Sequence, residues 1–180
     1  MIKHVTLRLA AATALAVSLS PMMAPAAMAQ SYVPDRVKKS VETEDLVAIV
    51  KSLGHTVDET AVFGDEGERS VRATDENGVT YLLIGTACDA GDVKGCQGIM
   101  MQVRYDLSEG VTYETVAKAN IQQAALNTWV DFEGGTLGFT RYQVLDYGVT
   151  MANIRENVKV LLDVYPLSMD IATGKDTGSE

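Results

Sequence analysis

The spacing of hydrophobic residues predicts three helices. In residues 43–54, 112–124 and 150–166, hydrophobic residues recur every three or four positions, as they do on one face of a helix. Each stretch begins with a threonine, a residue that commonly caps helix N-termini. We expect the third helix to end at Pro166, because proline lacks the backbone N–H that a helix interior requires.

Between these stretches the pattern is that of β-strands. Short runs with alternating hydrophobic and polar positions are separated by turns rich in glycine and aspartate, and they predict six strands: residues 56–63, 69–74, 80–86, 97–107, 127–132 and 137–146. Asn77-Gly78 is typical of a hairpin turn. The order α-β-β-β-β-α-β-β-α predicts an α+β fold, in which an antiparallel sheet carries helices packed on one face.

The first 29 residues have the three parts of a secretory signal peptide. Lys3 and Arg8 are followed by the apolar run Leu9–Leu19 and then by Ala27-Met28-Ala29, small residues at a cleavage site. The run is shorter than the roughly 20 residues that span a bilayer. We therefore expect a periplasmic, secreted protein with no membrane span after signal cleavage. An uncleaved membrane anchor is the alternative.

The remaining chain is the length of one domain. We expect a polar lead-in over residues 30–41, one α+β domain over 42–165 and a disordered tail over 166–180. Removing Lys3 and Arg8 with the signal peptide changes the formal net charge from −9 to −11. A surface this acidic repels phosphate backbones, so we expect no nucleic-acid partner.

Cys88 and Cys96 are the only cysteines, and they follow one predicted strand and precede the next. In an oxidising compartment such a pair predicts a disulfide that joins the ends of two neighbouring strands. A metal site and a redox-active pair are the alternatives. Two thiolates do not complete a zinc site, and the spacing is not that of a Cys-x-x-Cys motif.

Few residues suggest catalysis or cofactor binding. His55 is the only histidine after the predicted cleavage site, so it is the only candidate for a catalytic triad. Acidic residues cluster at one turn and in the cysteine loop, but their spacing is not that of an EF-hand: Asp58, Glu59, Asp65, Glu66, Glu68, Asp89 and Asp92. We expect no catalytic residue, no metal and no cofactor.

Two sets of apolar residues are candidates for an interface. Trp129, Phe139 and Tyr142 share a predicted hairpin, and core packing is their ordinary role, with an exposed aromatic patch as the alternative. The third helix carries an apolar stripe whose ordinary role is core packing, and if the sheet covers it, the remaining apolar face of the helix could pair two protomers as a homodimer. The candidate interface residues on this helix are Met151, Ile154, Val158 and Leu161.

Five segments between Glu42 and Tyr165 form a characteristic series. They are Tyr81-Leu82-Leu83-Ile84 before Cys88, Gln97 to Tyr105 after Cys96, Val116-Ala117-Lys118-Ala119-Asn120, the hairpin at Gly134-Gly135, and Gly148-Val149-Thr150-Met151-Ala152-Asn153-Ile154. In order and spacing these segments resemble the YbjN-like family. The resemblance implies a fold similar to that of type III secretion chaperones. It also implies a role described as sensory transduction regulation, with no catalytic residues to transfer.

These observations favour a non-catalytic periplasmic binding or regulatory domain that acts through protein–protein contacts. The partner protein is unknown, and a homodimer is one of the assemblies that we predict. The alternative is a chaperone for an exported protein client, which the resemblance in fold suggests. A less favoured third hypothesis is an acid–base hydrolase with paired carboxylates, which would require a deep pocket.

Overall fold

The computed structural model describes residues 31–175. The predicted signal peptide, residues 1–29, lies outside the described residues, and so does the end of the predicted tail, residues 176–180. The described residues form three helices and eight strands: β1 (Val37–Lys38), α1 (Thr43–Ser52), β2 (Thr56–Phe63), β3 (Glu68–Thr74), β4 (Thr80–Cys88), β5 (Cys96–Asp106), α2 (Tyr113–Gln122), β6 (Asn127–Asp131), β7 (Thr136–Val144), β8 (Val149–Thr150) and α3 (Met151–Ala172).

Six strands form one antiparallel sheet, which confirms the predicted α+β fold. The order across the sheet is β2-β3-β4-β5-β7-β6, and every neighbouring pair is antiparallel. The first four strands follow one another along the chain. Strand β7 then pairs with β5, so β6 lies at the edge and β5 lies inside the sheet.

The helices cover one face of this sheet. Helix α1 contacts β2 and β3, α3 contacts β5 and β7, and α2 contacts β6 and α3. Two rows of opposing residues point toward the helices and are fully buried or nearly so: Val71, Leu83 and Met101 in one row, and Ala73, Tyr81, Val103 and Phe139 in the other. These side chains and the inner faces of the helices form the hydrophobic core.

The stripe on α3 is part of that core. Met151, Ile154, Val158 and Leu161 are each 0% exposed, and so is Phe139 on the facing strand. These five residues therefore pack in the core between α3 and the sheet, which is the ordinary role expected for them, and none of them is exposed for an interface in this structure. A homodimer remains a prediction, and it would need a different surface.

Helix α3 continues past Pro166, contrary to the expectation that it ends there. Its last turns bury Ser168, Ile171 and Ala172, and the Thr115 hydroxyl donates a 2.7 Å hydrogen bond to the Ala172 carbonyl. An interior proline costs a helix about 3 kcal/mol. Burying this turn offsets that cost, so the expected disordered tail is helical as far as residue 172.

The lead-in is part of the fold. Strand β1 pairs with β8, and the backbone of Val41 exchanges two hydrogen bonds of 2.9 Å with the backbone of Cys96. Val41 is fully buried, so the segment before α1 contributes to the core rather than serving only as a polar leader.

The ends of the helices follow local hydrogen bonds. Thr112 and Thr150 cap α2 and α3 as predicted, since each side chain accepts a hydrogen bond from a backbone N–H three residues later. Helix α1 is capped one residue earlier than predicted, at Glu42, whose N–H donates to the Asp45 carboxylate. Asp45 is buried and its carboxylate lies 2.7 Å from Lys38 Nζ, which ties α1 to β1.

Cys88 and Cys96 lie opposite each other on β4 and β5, with their sulfur atoms 2.09 Å apart, the distance of a disulfide. Polar contacts hold the loop that they close: Asp89 accepts from the Gly95 N–H at 2.9 Å and from Arg69 at 3.0 Å. These hydrogen bonds hold the pKa of Asp89 below its usual range, with the Gly95 bond making the largest contribution.

We predict that Pro166→Ala raises the free energy of unfolding by about 1–2 kcal/mol. Pro166 is exposed, so the change creates no cavity, and alanine restores the missing helical donor. Part of the gain is offset because proline also restricts the unfolded chain. Urea denaturation measures the effect, with Leu167→Ala as a control at a neighbouring exposed position. An unchanged or reduced stability of the Pro166 variant would contradict the prediction.

We predict that replacing both cysteines, Cys88→Ala with Cys96→Ala, lowers the free energy of unfolding by about 2–3 kcal/mol. The bond closes a short loop and limits the unfolded chain, and the chain-entropy model gives this value for such a loop. Intact mass of the native protein should be two hydrogens below that of the reduced form. Reductant should destabilise the wild type by a similar amount and leave the double variant unchanged; a double variant that still responds to reductant would count against the bond.

Candidate functional site

The second face of the sheet has no helix over it among residues 31–175. Because side chains alternate along a strand, every second residue of β3, β4, β5 and β7 points away from the core. We call this surface the open face and define it by ten residues: Phe63, Ser70, Leu82, Ile84, Met100, Gln102, Arg104, Trp129, Thr140 and Tyr142.

Two aromatic side chains lie flat on the open face because glycines face them. Trp129 is paired with Gly138 on β7, and a Cβ atom at Gly138 would lie 2.1 Å from the indole ring. Likewise, a Cβ at Gly98 would lie 2.1 Å from the Tyr142 hydroxyl. The glycines thus allow rings to cover the sheet closely, an arrangement that also protects the exposed backbone.

A polar network crosses the middle of the open face. The Gln102 amide donates to Thr140 Oγ1 at 3.0 Å, and the Trp129 indole N–H donates to the same oxygen at 2.8 Å. The Gln102 carbonyl oxygen accepts from Arg104 Nε at 2.8 Å and from a second guanidinium nitrogen. Gln102 is only 5% exposed, so this buried amide has partners for both its donor and its acceptor sides.

A cavity of about 290 Å³ lies on the open face next to this network. Leu82, Ile84 and Met100 form its apolar floor, and the edge of the sheet contributes Phe63, which is 44% exposed. The charged side chains in the wall are Arg104 and Glu68. An apolar surface with a few fixed polar groups is the usual composition of a binding site.

The predicted aromatic residues are divided between the two faces. Trp129 and Tyr142 lie on the open face, with Tyr142 53% exposed, whereas Phe139 points into the core from the same hairpin. Sequence reasoning missed Gln102 and Arg104. Their signal was present, because they alternate with the core residues Met101 and Val103 and so must face away from the helices.

A larger cavity of about 670 Å³ lies between the lead-in, α1 and α3. Its charged residues include Arg155 and Glu156, which pair with each other at 2.8 Å. Glu156 also lies 3.0 Å from Lys159, and these hydrogen bonds hold its pKa below the usual range, with the bond from Lys159 making the largest contribution. Lys51 lines the same cavity, so the described charged groups around it carry a net positive charge. The open face, which combines exposed aromatic side chains with a fixed polar network, is the stronger candidate for recognition of a polypeptide.

His55 makes two contacts with its neighbours. Its Nδ1 atom lies 2.9 Å from the Tyr81 hydroxyl, and its Nε2 atom lies 3.6 Å from Glu76 Oε2. Burial raises the pKa of the Tyr81 phenol well above its ordinary value, so this hydroxyl stays protonated. The cavity beside His55 measures about 210 Å³, and no serine, threonine or cysteine is among its described lining residues.

The described residues contain neither a cluster of metal ligands nor a membrane-spanning helix. Between residues 31 and 175, no three histidine, cysteine, aspartate or glutamate side chains come together in an arrangement that could hold a metal ion. None of the helices in the same range has the length and apolar character that crossing a bilayer requires.

Comparison with solved structures shows a shared fold at low sequence identity. The chain is similar to the crystal structure of an uncharacterized protein from Methanothermobacter thermautotrophicus, with a TM-score of 0.53 and 10% identity over 74% of this chain and 99% of that one. No model of a known protein family matches the chain, and no curated protein matches it significantly.

Two further structures are complexes. The chain is similar to a chain of the HopA1–SchA chaperone–effector complex, with a TM-score of 0.43 and 13% identity over 68% of this chain and 93% of that one. It is also similar to a chain of the ExsC–ExsE complex, with a TM-score of 0.45 and 13% identity over 67% of this chain and 85% of that one.

We predict that Gly138→Ala displaces the Trp129 ring and shifts its fluorescence emission to longer wavelength. The added Cβ would occupy space that the indole fills, so the ring must move toward solvent. Trp129 is the only tryptophan, so its emission reports this position alone. Gly98→Ala is the matched control, because its Cβ meets Tyr142 instead. Equal emission from the wild type and the Gly138 variant would contradict the proposed packing.

Proposed function

We propose that the protein is a non-catalytic binding domain that holds an exported polypeptide on its open face, as a chaperone holds a client. The observation that carries this proposal is the uncovered, partly apolar surface of the sheet. Phe63 and Tyr142 are 44% and 53% exposed there, although the same sheet buries its other face under helices. Contiguous exposed apolar surface of this kind marks interaction sites in soluble proteins.

The composition of the open face suits a protein partner. Trp129, Tyr142 and Arg104 belong to the residue types that dominate the energetics of protein interfaces. Leu82 and Met100 are half-buried and provide flat apolar area between them. An extended segment of a partner polypeptide could lie across these strands. Its apolar side chains would be buried against the open face, while its backbone groups would stay in contact with water at the edge of the interface.

The predicted compartment limits the identity of the partner. The N-terminal pattern of residues 1–29 favours export, and a disulfide between Cys88 and Cys96 suits an oxidising compartment such as the periplasm. A partner held there is itself exported. The YbjN-like resemblance is consistent with a binding or regulatory role of this kind.

The proposal does not depend on the two similar complexes. One is a complex of a chaperone with its effector and the other is a complex of two proteins, but both TM-scores lie below 0.5. A partner that covers the exposed aromatic and apolar side chains of the open face would remove them from water. Because this transfer is favourable, the open face by itself supports binding.

We predict that a photocrosslinker on the open face captures an exported polypeptide in cells that produce the full chain. Benzoylphenylalanine in place of Tyr142 should give a discrete crosslinked product, because this side chain is exposed within the open face. The same crosslinker in place of Tyr147, which is 98% exposed and outside the open face, is the matched control. Mass spectrometry identifies the captured protein and the attached segment.

The captured protein also distinguishes the two binding roles. A client that is protease-sensitive alone and protected in the complex supports the chaperone, whereas a partner that is folded without this protein supports a regulator. Phe63→Asp places a charge on the apolar surface and should abolish the product. Equal capture from positions 142 and 147, or no capture from position 142, overturns the assignment to the open face.

A further inference from the structure

Arg104 is an arginine of the sheet that forms no ion pair with a described carboxylate, although Glu68 and Asp106 each line a cavity together with it. Arg69 lies 2.7 Å from Glu42 and 3.0 Å from Asp89, and Arg72 lies 3.1 Å from Glu59. Within residues 31–175, by contrast, no carboxylate lies within ion-pair distance of Arg104. The side chain is exposed on an acidic protein, whose formal net charge is −9, and yet it stands beside the apolar cavity of the open face.

The guanidinium of Arg104 is nevertheless held in place. Two of its nitrogens donate to the Gln102 carbonyl oxygen, and its central carbon lies 5.9 Å from the centre of the Trp129 ring. Gln102 is in turn fixed by Thr140. These contacts leave the Nη1 nitrogen available for a partner and reduce the side-chain entropy that binding would otherwise cost.

The cavity gives this cation a specific setting. Leu82, Ile84 and Met100 form an apolar floor beside Arg104, and Glu68 stands in the same cavity wall. A ligand in this cavity would therefore contact the positive charge of Arg104, the negative charge of Glu68 and the apolar floor. A fixed guanidinium donates to carboxylates with good geometry, so the complementary ligand group is a carboxylate attached to apolar matter.

We infer that Arg104 is the receptor for the side-chain carboxylate of an aspartate or glutamate in an apolar segment of the bound polypeptide. This inference rests on the proposed function and specifies the sequence of the segment. Apolar residues next to the acidic one cover Leu82, Ile84 and Met100. Glu68 disfavours a second carboxylate in the cavity and favours a basic or neutral residue near it.

The charge of the whole protein makes a single acidic residue a better ligand than a polyanion. At physiological ionic strength, charges farther apart than about 8 Å are largely screened. The direct contact with Arg104 therefore determines which ligand charge the cavity prefers. A nucleic acid or an acidic run would bring further negative charges close to Glu68 and the acidic surface. These additional negative charges would make no favourable contact with the apolar floor of the cavity.

The test is selection of a random 12-residue phage-displayed peptide library on the immobilised full chain. We expect enriched peptides to carry one aspartate or glutamate flanked by apolar residues. For an enriched peptide made synthetically, Arg104→Gln should weaken binding about tenfold, the loss expected for a charge-assisted hydrogen bond at an accessible site. Added salt should weaken the wild-type complex more than the variant complex.

Charge reversal separates recognition from a structural role. Arg104→Glu should reject the acidic peptide and bind its lysine-substituted counterpart better than the wild type does. Arg72→Gln is the matched control, since Arg72 is exposed on the same sheet but already paired with Glu59, and it should leave the preference unchanged. Far-ultraviolet circular dichroism and thermal unfolding check that each variant stays folded, because Trp129 lies 5.9 Å from Arg104 and its emission would respond to the substitution itself.

The outcomes distinguish this inference from the proposed function. Enriched peptides that are apolar but show no acidic preference, or that bind the Arg104 variants equally well, overturn the role of Arg104 and leave binding at the open face standing. If no peptide is enriched, or if enriched peptides bind Phe63→Asp as tightly as the wild type, both the inference and binding at the open face are overturned.

Discussion

The packing of α1 and α3 on one face of the sheet determines the rest of the structure. Because side chains alternate along a strand, burying Leu83 and Met101 under these helices forces their neighbours Leu82, Ile84, Met100 and Gln102 to the opposite face. A slip of one residue would exchange the two sets and place Gln102 in the core. The core therefore fixes the composition of the open face.

The open face combines apolar and polar residues in a way that a simple solvent-exposed sheet does not. An exposed antiparallel face normally carries polar residues at alternate positions. Here Ile84 is 5% exposed without any described helix over it, since neighbouring side chains on the same face cover it. Gln102 is equally buried and requires its hydrogen bonds to Thr140 and Arg104. The side chains on this face thus order one another.

Local patterns predicted the elements well and their arrangement less well. The alternation in residues 97–107 and the caps at Thr112 and Thr150 are local, and the structure confirms them. The position of β7 between β5 and β6 depends on pairing between distant segments, which no local pattern encodes. The expectation that α3 ends at Pro166 is wrong for a related reason. The cost of a proline in a helix is local, whereas the burial of Ile171 and Ala172 that offsets this cost depends on tertiary packing. The sequence predicts only part of the candidate site, since Trp129 and Tyr142 stand out as aromatic residues of a hairpin, whereas Arg104 is marked only by its alternation with core residues.

The location of the candidate site also affects how it would bind. Arg104 and Gln102 lie on β5, which is paired on both sides and is joined to β4 by the disulfide at its other end. A site on paired strands is already ordered, so a partner would meet fixed side chains rather than a loop that must first be immobilised. Most of the entropy lost on binding would then come from the partner segment. A flexible exported polypeptide and a rigid sheet face are compatible in this respect, because specificity comes from the positions of a few fixed groups on the sheet.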